Sequence, residues 1–359
     1  MSEAPLTDQY GRRVSYMRVS VTDRCNLRCR YCVSQDMEFI PHPTILRYEE
    51  ILDLMGIGAS LGVDKIRFTG GEPFVRKGFM DFLESAAERF PGVELCVTTN
   101  ATLIEPFIPR LAASGVRRVN ISLDTLDPDK FERITGRPLF REVRANIDRA
   151  VEAGLNVKVN VVAMGGVNQD ELPGFVDLAR TLPIDLRFIE FMPIGDGTRW
   201  SRDSVWLAKD ILAGVCELAE VEPVKGEKRN RGPARMYDLR DGKGRIGIIS
   251  PYSNHFCASC NRLRLTSDGN LRTCLFSDRV YRLRPVLRHP ALGLPFVDRI
   301  IRAATQEKPM GHKLLESMPS GAGCVTRACR PSAVEQRLII IACFIAETLK
   351  ILLSCLDQA

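Results

Sequence analysis

Arg18-Val19-Ser20-Val21-Thr22-Asp23-Arg24-Cys25-Asn26-Leu27-Arg28-Cys29-Arg30-Tyr31-Cys32 is the stretch from which the rest of the chain can be read. An apolar, strand-like run from Tyr16 to Val21 leads into three cysteines within eight residues, spaced C-x3-C-x2-C. Thiolates are natural ligands of iron–sulfur clusters. A four-iron cubane presents four irons, so three cysteines leave one corner without a protein ligand. A structural zinc site closes its shell with four ligands, and no fourth Cys or His stands beside this trio. His42 is the nearest histidine, ten residues on and between two prolines. A redox CxxC pair or a zinc knuckle are the alternatives.

Outward from this loop, one unit recurs to about residue 195: a short β-branched run, a turn, then an amphipathic helical stretch. Strands are expected at 17–21, 65–69, 94–98, 118–123, 157–162 and 185–191, with helices between them, for example at 49–61, 79–90 and 141–153. Strands alternating with helices at this spacing imply parallel pairing with right-handed crossovers. The pattern predicts an α/β protein, a partial (β/α)6 TIM-like barrel. The cysteine loop, Gly70-Gly71-Glu72-Pro73, Thr98-Thr99-Asn100, Ser122-Leu123-Asp124 and Glu190-Phe191-Met192-Pro193 all fall at strand ends, where such barrels build their chemistry. Beyond residue 195 come a helix (205–218), a basic run (225–231), strands at 235–239 and 245–250, and a hairpin turning at Asp268-Gly269. These read as a smaller α+β module closing the open side.

The 359 residues can bury a large core. A formal charge of +6 suits an anionic ligand without demanding nucleic acid. Residues 2–13 are polar and include Glu3 and Asp8, which argues against a secretory or transit segment. Twelve cysteines in such a chain point to metal binding rather than disulfides. Cys96 and Cys216 lie in apolar surroundings and are expected in the core.

A second cysteine set is Cys257-Ala258-Ser259-Cys260 with Cys274, spaced C-x2-C-x13-C; by spacing alone it could hold zinc with His255, or a second cluster. Arg262-Leu263-Arg264-Leu265 follows, with both arginines on one face of a strand and both leucines on the other. Paired guanidiniums invite phosphate. Period two also aligns Lys65 with Arg67, and Lys158 with Asn160.

The first cysteine spacing, with an aromatic residue just before the third cysteine, resembles that of the radical S-adenosylmethionine (SAM) enzymes. The wording from Arg18 to Cys29 resembles one family within them, the GTP 3′,8-cyclases, also called molybdenum cofactor biosynthesis protein A. The likeness runs from about residue 11 to 318 and includes Leu275-Phe276-Ser277-Asp278 and Lys308-Pro309-Met310-Gly311-His312. It implies a radical SAM partial barrel (1–195), a C-terminal module with a second cluster (196–318) and a divergent tail (319–359). The implied enzyme is a lyase converting GTP to (8S)-3′,8-cyclo-7,8-dihydroguanosine 5′-triphosphate, the first step toward molybdopterin. Its implied cofactors are SAM and two [4Fe-4S] clusters, held by Cys25, Cys29 and Cys32 and by Cys257, Cys260 and Cys274. The likeness assigns SAM to Tyr31, Gly71, Ser122 and Met192. It assigns GTP to Arg18, Arg67, Thr98, Lys158, Arg262, Leu263 and Arg264, with Lys65 and Arg187 as weaker candidates. Implied partners are an electron donor such as a flavodoxin or ferredoxin, the downstream cyclic pyranopterin monophosphate synthase and a second copy in a homodimer. Neither nucleic acid nor membrane is expected, and the compartment would be the cytoplasm, or the mitochondrial matrix in a eukaryote. Other radical SAM enzymes with an auxiliary cluster, and a zinc-stabilised nucleic-acid-binding protein, are the competing readings.

Family members end in a free Gly-Gly. Here Glu316-Ser317-Met318-Pro319-Ser320-Gly321-Ala322-Gly323-Cys324 runs on for 35 more residues, among them Cys329, Cys343 and Cys355. The apolar run 338–346 is too short and charge-interrupted for a membrane span. The expectation is a form that binds both clusters yet turns over poorly until the family's ending is restored after residue 318.

Overall fold

Period-two alternation, apolar on one face and polar on the other, sets the architecture of the computed structural model, which describes residues 5–32, 38–116, 118–194, 200–225 and 232–312. Six strands come in the expected order: β1 (Tyr16–Ser20), β2 (Lys65–Thr69), β3 (Glu94–Thr99), β4 (Arg118–Ser122), β5 (Asn156–Ala163) and β6 (Asp185–Glu190). Between them lie α1 (Tyr48–Ser60), α2 (Phe79–Arg89), α3 (Ile108–Ala113), α4 (Pro128–Thr135), α5 (Phe140–Glu152) and α6 (Leu172–Thr181). After β6 come α7 (Ala208–Leu218), β7 (Val221–Pro223), β8 (Arg235–Leu239), β9 (Arg245–Ile249), β10 (Arg262–Leu265), β11 (Asn270–Arg272), β12 (Tyr281–Arg282), α8 (Leu283–Leu287) and α9 (Gly293–Gln306).

All twelve strands form one sheet, ordered β12-β11-β10-β1-β2-β3-β4-β5-β6-β9-β8-β7. The sequence predicts six parallel strands; the sheet has eight, because β10 pairs parallel with β1 and β9 parallel with β6. The C-terminal part therefore extends both edges of the barrel sheet and flanks its open side. The expected helix at 205–218 starts only at Ala208, because residues 202–204 form a 3-10 turn and Val205 bridges to Met164. The Asp268-Gly269 turn joins β10 to β11, with Gly269 at φ 82°.

The helices cover one face of the sheet. Met17, Val19, Ile66, Phe68, Val97, Val119, Val159, Leu186, Phe188, Ile246 and Leu263 are buried there in one core. Phe68 meets Phe82 and Phe79 of α2 edge-on at 5.2 and 6.1 Å. Each such side chain contributes roughly 1.5–3 kcal/mol on burial. The intervening residues, Arg18, Arg67, Thr98, Asn120, Lys158, Arg187 and Arg264, are thereby turned to the barrel interior. Cys96 is buried as expected, but among charges: it sits in register with Arg67 and Arg118, its Sγ 3.5 Å from Glu94 Oε1. Cys216 is exposed on α7, contrary to expectation. The basic run 226–231 and the tail 319–359 lie outside the described residues.

Candidate active site

The first cysteine loop leaves the carboxyl end of β1 and is fastened by its backbone. Arg28 and Arg30 N–H donate to Thr135 and Ile134 carbonyls at 2.8 and 3.0 Å, and Cys32 N–H to Cys29 O at 2.9 Å. Leu27 N–H and Asn100 Nδ2 reach Cys25 Sγ at 3.4 and 3.7 Å, and Asn100 also donates to Asn26 Oδ1 at 2.9 Å. Burial pushes the Cys25 and Cys29 thiols up, with Asp124 adding to the rise at Cys29. Such thiols stay protonated until a metal takes them as thiolates. Among the described residues no three His, Cys, Asp or Glu side chains are grouped around one ion; a cubane takes each thiolate on a different iron and does not ask for that grouping.

The SAM candidates Tyr31, Gly71, Ser122 and Met192 all stand at this same end of the sheet, on the connections after β1 and β2, at the end of β4 and after β6. Tyr31 Oη donates to Asp124 Oδ2 at 2.5 Å, while Val162 N–H donates to Asp124 Oδ1 at 2.8 Å. Burial raises the Asp124 carboxyl to about 6. The Tyr31 ring also meets Phe191 edge-on at 6.3 Å. Ser122 and Met192 are half-buried, and Met192 O accepts from Ile194 N–H at 2.8 Å. The glycine pair has a definite steric cause: a Cβ on Gly70 would stand 2.4 Å from Thr22 O, and one on Gly71 2.1 Å from Arg24 O. The turn thus lies directly against the segment feeding Cys25, with Gly71 and Glu72 N–H donating to Thr22 and Arg24 carbonyls at 2.8 Å. The wholly buried Glu72 carboxylate accepts from Thr99 Oγ1 (2.8 Å) and Asn100 N–H (2.6 Å); burial raises it to about 7. Glu72, Asn100 and Asp124 were visible in the sequence only as polar strand ends, and their brace-like roles required the fold.

The basic candidates line the interior, and Arg262 opens β10 at the amino end of the sheet. Arg262 and Arg264 register with Tyr16 and Arg18, and Arg18 with Arg67. Arg67 donates to Tyr16 Oη (2.8 Å) and Val97 O (3.3 Å). Arg18, Arg262 and Arg264 are half-buried and make no ion pair with a carboxylate among the described residues. Burial, with Arg18 and Arg262 beside it, pushes Arg264 down to about 9. Opposite them, Asp185 holds Lys158 (2.7 Å), Arg187 (3.1 Å) and Arg245 (2.6 Å) on one carboxylate. Thr98 Oγ1, Asn120 Oδ1 and Arg187 Nε, on three interior strands, are buried without a partner. Lys65 is committed to Glu94 at 3.0 Å. Leu263 faces away into the core, so its side chain touches nothing in the interior.

The second cysteine set sits at the opposite end of the barrel from the first: Cys257 and Cys260 precede β10, and Cys274 follows the antiparallel β11. A Cβ on Gly311 would meet Cys274 Sγ at 2.8 Å and Cys257 Sγ at 3.7 Å, so both sulfurs pack against the same glycine. Cys260 is drawn down to about 7 against its own burial, by Lys308 and Arg262. His255 Nδ1 is taken up by Pro251 O at 2.6 Å. Three soft donors close enough to act on one another, beside cations that favour thiolates, fit an iron–sulfur cluster. The polar interior lies between the two cysteine sets.

A partial barrel with a three-cysteine loop after its first strand defines a radical SAM protein. The Radical SAM superfamily model matches residues 19–179, and the Molybdenum Cofactor Synthesis C model matches 184–314. Curated relatives named GTP 3′,8-cyclase include those of Alkaliphilus oremlandii (41% identical, 86% of this chain, 95% of the relative), Syntrophomonas wolfei (44%, 86% and 95%) and Thermodesulfovibrio yellowstonii (43%, 85% and 95%). The chain belongs to the GTP 3′,8-cyclase family. It uses that family's cofactors, SAM and two [4Fe-4S] clusters. Among solved structures, Streptococcus suis SuiB bound to S-adenosylmethionine matches with TM-score 0.58 at 16% identity, over 79% of this chain and 67% of that one, a likeness of fold. Among the described residues no helix is long and apolar enough to cross a membrane.

Proposed function

We propose that this chain converts GTP to (8S)-3′,8-cyclo-7,8-dihydroguanosine 5′-triphosphate, a lyase reaction opening molybdenum cofactor biosynthesis. One observation carries the reading: the guanidiniums of Arg18, Arg262 and Arg264, without carboxylate partners among the described residues, line the interior between two sets of three cysteines. A polyanion is the natural occupant of such a lane. Cys25, Cys29 and Cys32 hold the cluster that binds SAM, with Tyr31, Gly71, Ser122 and Met192 around it. Cys257, Cys260 and Cys274 hold the second, where the guanine is presented. When bound, SAM and its cluster would supply removal of the C3′ hydrogen atom of the ribose, and the C3′–C8 bond of the dihydro product would be completed by one electron and one proton from the reductant and solvent. The protein's part is to seat the triphosphate on the arginines and Lys158, orient the ribose toward the first cluster, and keep water from the reacting carbon. The electron donor is a flavodoxin or ferredoxin, the product passes to a cyclic pyranopterin monophosphate synthase, and the setting is a reducing cytoplasm. Anaerobically purified full-length chain, incubated with SAM, GTP and dithionite, should yield 5′-deoxyadenosine and the cyclised triphosphate by mass spectrometry. SAM cleavage with GTP recovered unchanged from both this chain and one carrying the family's ending after residue 318 would refute the substrate.

Lys158 gives this site a pH signature. Burial and Arg187 push its ammonium down to about 8 despite Asp185, so it carries its charge below that pH and loses it above. The free enzyme's kcat/KM for GTP should fall as pH rises from about 7.5 to 9, and Lys158→Arg should flatten the profile. Identical profiles for the two proteins would remove Lys158 from the triphosphate site.

A further inference from the structure

Lys308, which lies beside the second cysteine set, is only 1% exposed. Its ammonium donates to two main-chain carbonyls, Arg262 O at 2.9 Å and Thr273 O. It has no carboxylate partner among the described residues; the negative groups acting on it are the sulfurs of Cys260 and Cys274. An ammonium taken out of water costs several kcal/mol unless an anion compensates it, and carbonyl dipoles supply no net charge. A four-iron cluster on three thiolates carries a net negative charge, and Lys308 stands where that charge would fall. Both carbonyls also belong to the cysteine frame: Thr273 adjoins Cys274, and Arg262 lies two residues past Cys260. Arg12, paired with Asp8 at 2.5 Å, ties the same segment down by donating to Lys308 O (3.1 Å), Pro309 O (3.2 Å) and Cys257 O (2.7 Å).

We propose that Lys308 is the built-in counter-charge of the second cluster, a positioning residue that sets the cluster's reduction potential and spaces Cys260 from Cys274. The inference rests on those cysteines being cluster ligands. A fixed positive charge beside these cysteines favours the reduced, more negative cluster, so it holds the midpoint potential up.

The test uses anaerobically reconstituted full-length Lys308→Gln and Lys308→Arg, with iron and sulfide content and a potentiometric titration of each cluster followed by electron paramagnetic resonance. Gln keeps a donor for the carbonyls and removes the charge. Lys308→Gln should move the second cluster's midpoint to more negative potential and leave the first cluster's unmoved, while Lys308→Arg keeps the parent value. Equal midpoints for parent and Lys308→Gln, or equal shifts at both clusters, would overturn the proposal. If Lys308→Gln does not fold, a negative shift in Lys308→Arg, which keeps the charge, overturns it as well. Failure of the underlying assignment reads differently: parent protein with about four irons per chain instead of about eight, or with zinc.

Discussion

Arg264→Ala should weaken GTP binding roughly 30- to 150-fold while leaving reductive cleavage of SAM near the parent rate. A charge-assisted contact contributes about 2–3 kcal/mol when one partner is truncated. Arg264 qualifies because no carboxylate among the described residues pairs with it: its neighbours are Arg18, Arg262 and the sulfurs of Cys260 and Cys274. Its removal also relieves repulsion, so the fold should lose little and the melting temperature should hold. Isothermal titration with GTP beside a 5′-deoxyadenosine assay separates the two effects. Equal losses of binding and cleavage would mean that Arg264 shapes the barrel instead of gripping a ligand.

Cys274→Ala should abolish cyclisation and about half of the iron, yet leave SAM cleavage measurable. The two cysteine sets are at opposite ends of an eight-stranded parallel sheet, and β1 between them, five residues at about 3.3 Å each, keeps them separate sites. Loss at one end therefore has no route to the ligands at the other. Cys274 is the most enclosed of its set, 8% exposed and against Gly311, so the alanine leaves a gap no neighbouring thiol can fill. Cys29→Ala should show the converse, no 5′-deoxyadenosine with second-cluster iron retained. Full iron in Cys274→Ala would expel this residue from the ligand set.

Much of this was written locally. C-x3-C-x2-C, the Gly-Gly turn and the Arg262/Arg264 alternation each concern residues a few positions apart, and backbone periodicity alone predicts what they share. One local reading fails. Apolar chain neighbours predict core for both Cys96 and Cys216; Cys96 is buried, with strand alternation placing it beside Arg67 and Arg118, but Cys216 falls on the exposed side of α7.

By itself, then, the sequence determined the repeating βα architecture, the two thiol triplets and a phosphate-seeking strand, since all of these rest on spacings within at most a few neighbouring elements. Only the tertiary structure decided that the triplets occupy opposite ends of the barrel and that the arginines line its interior. It alone supplied the seventh and eighth parallel strands, Asp124 under Tyr31 and the buried Lys308. The reason is physical. Edge pairing and sheet register bring together groups such as Arg12 and Cys257, 245 positions apart, and no pattern along the chain records which distant segment will close on which edge.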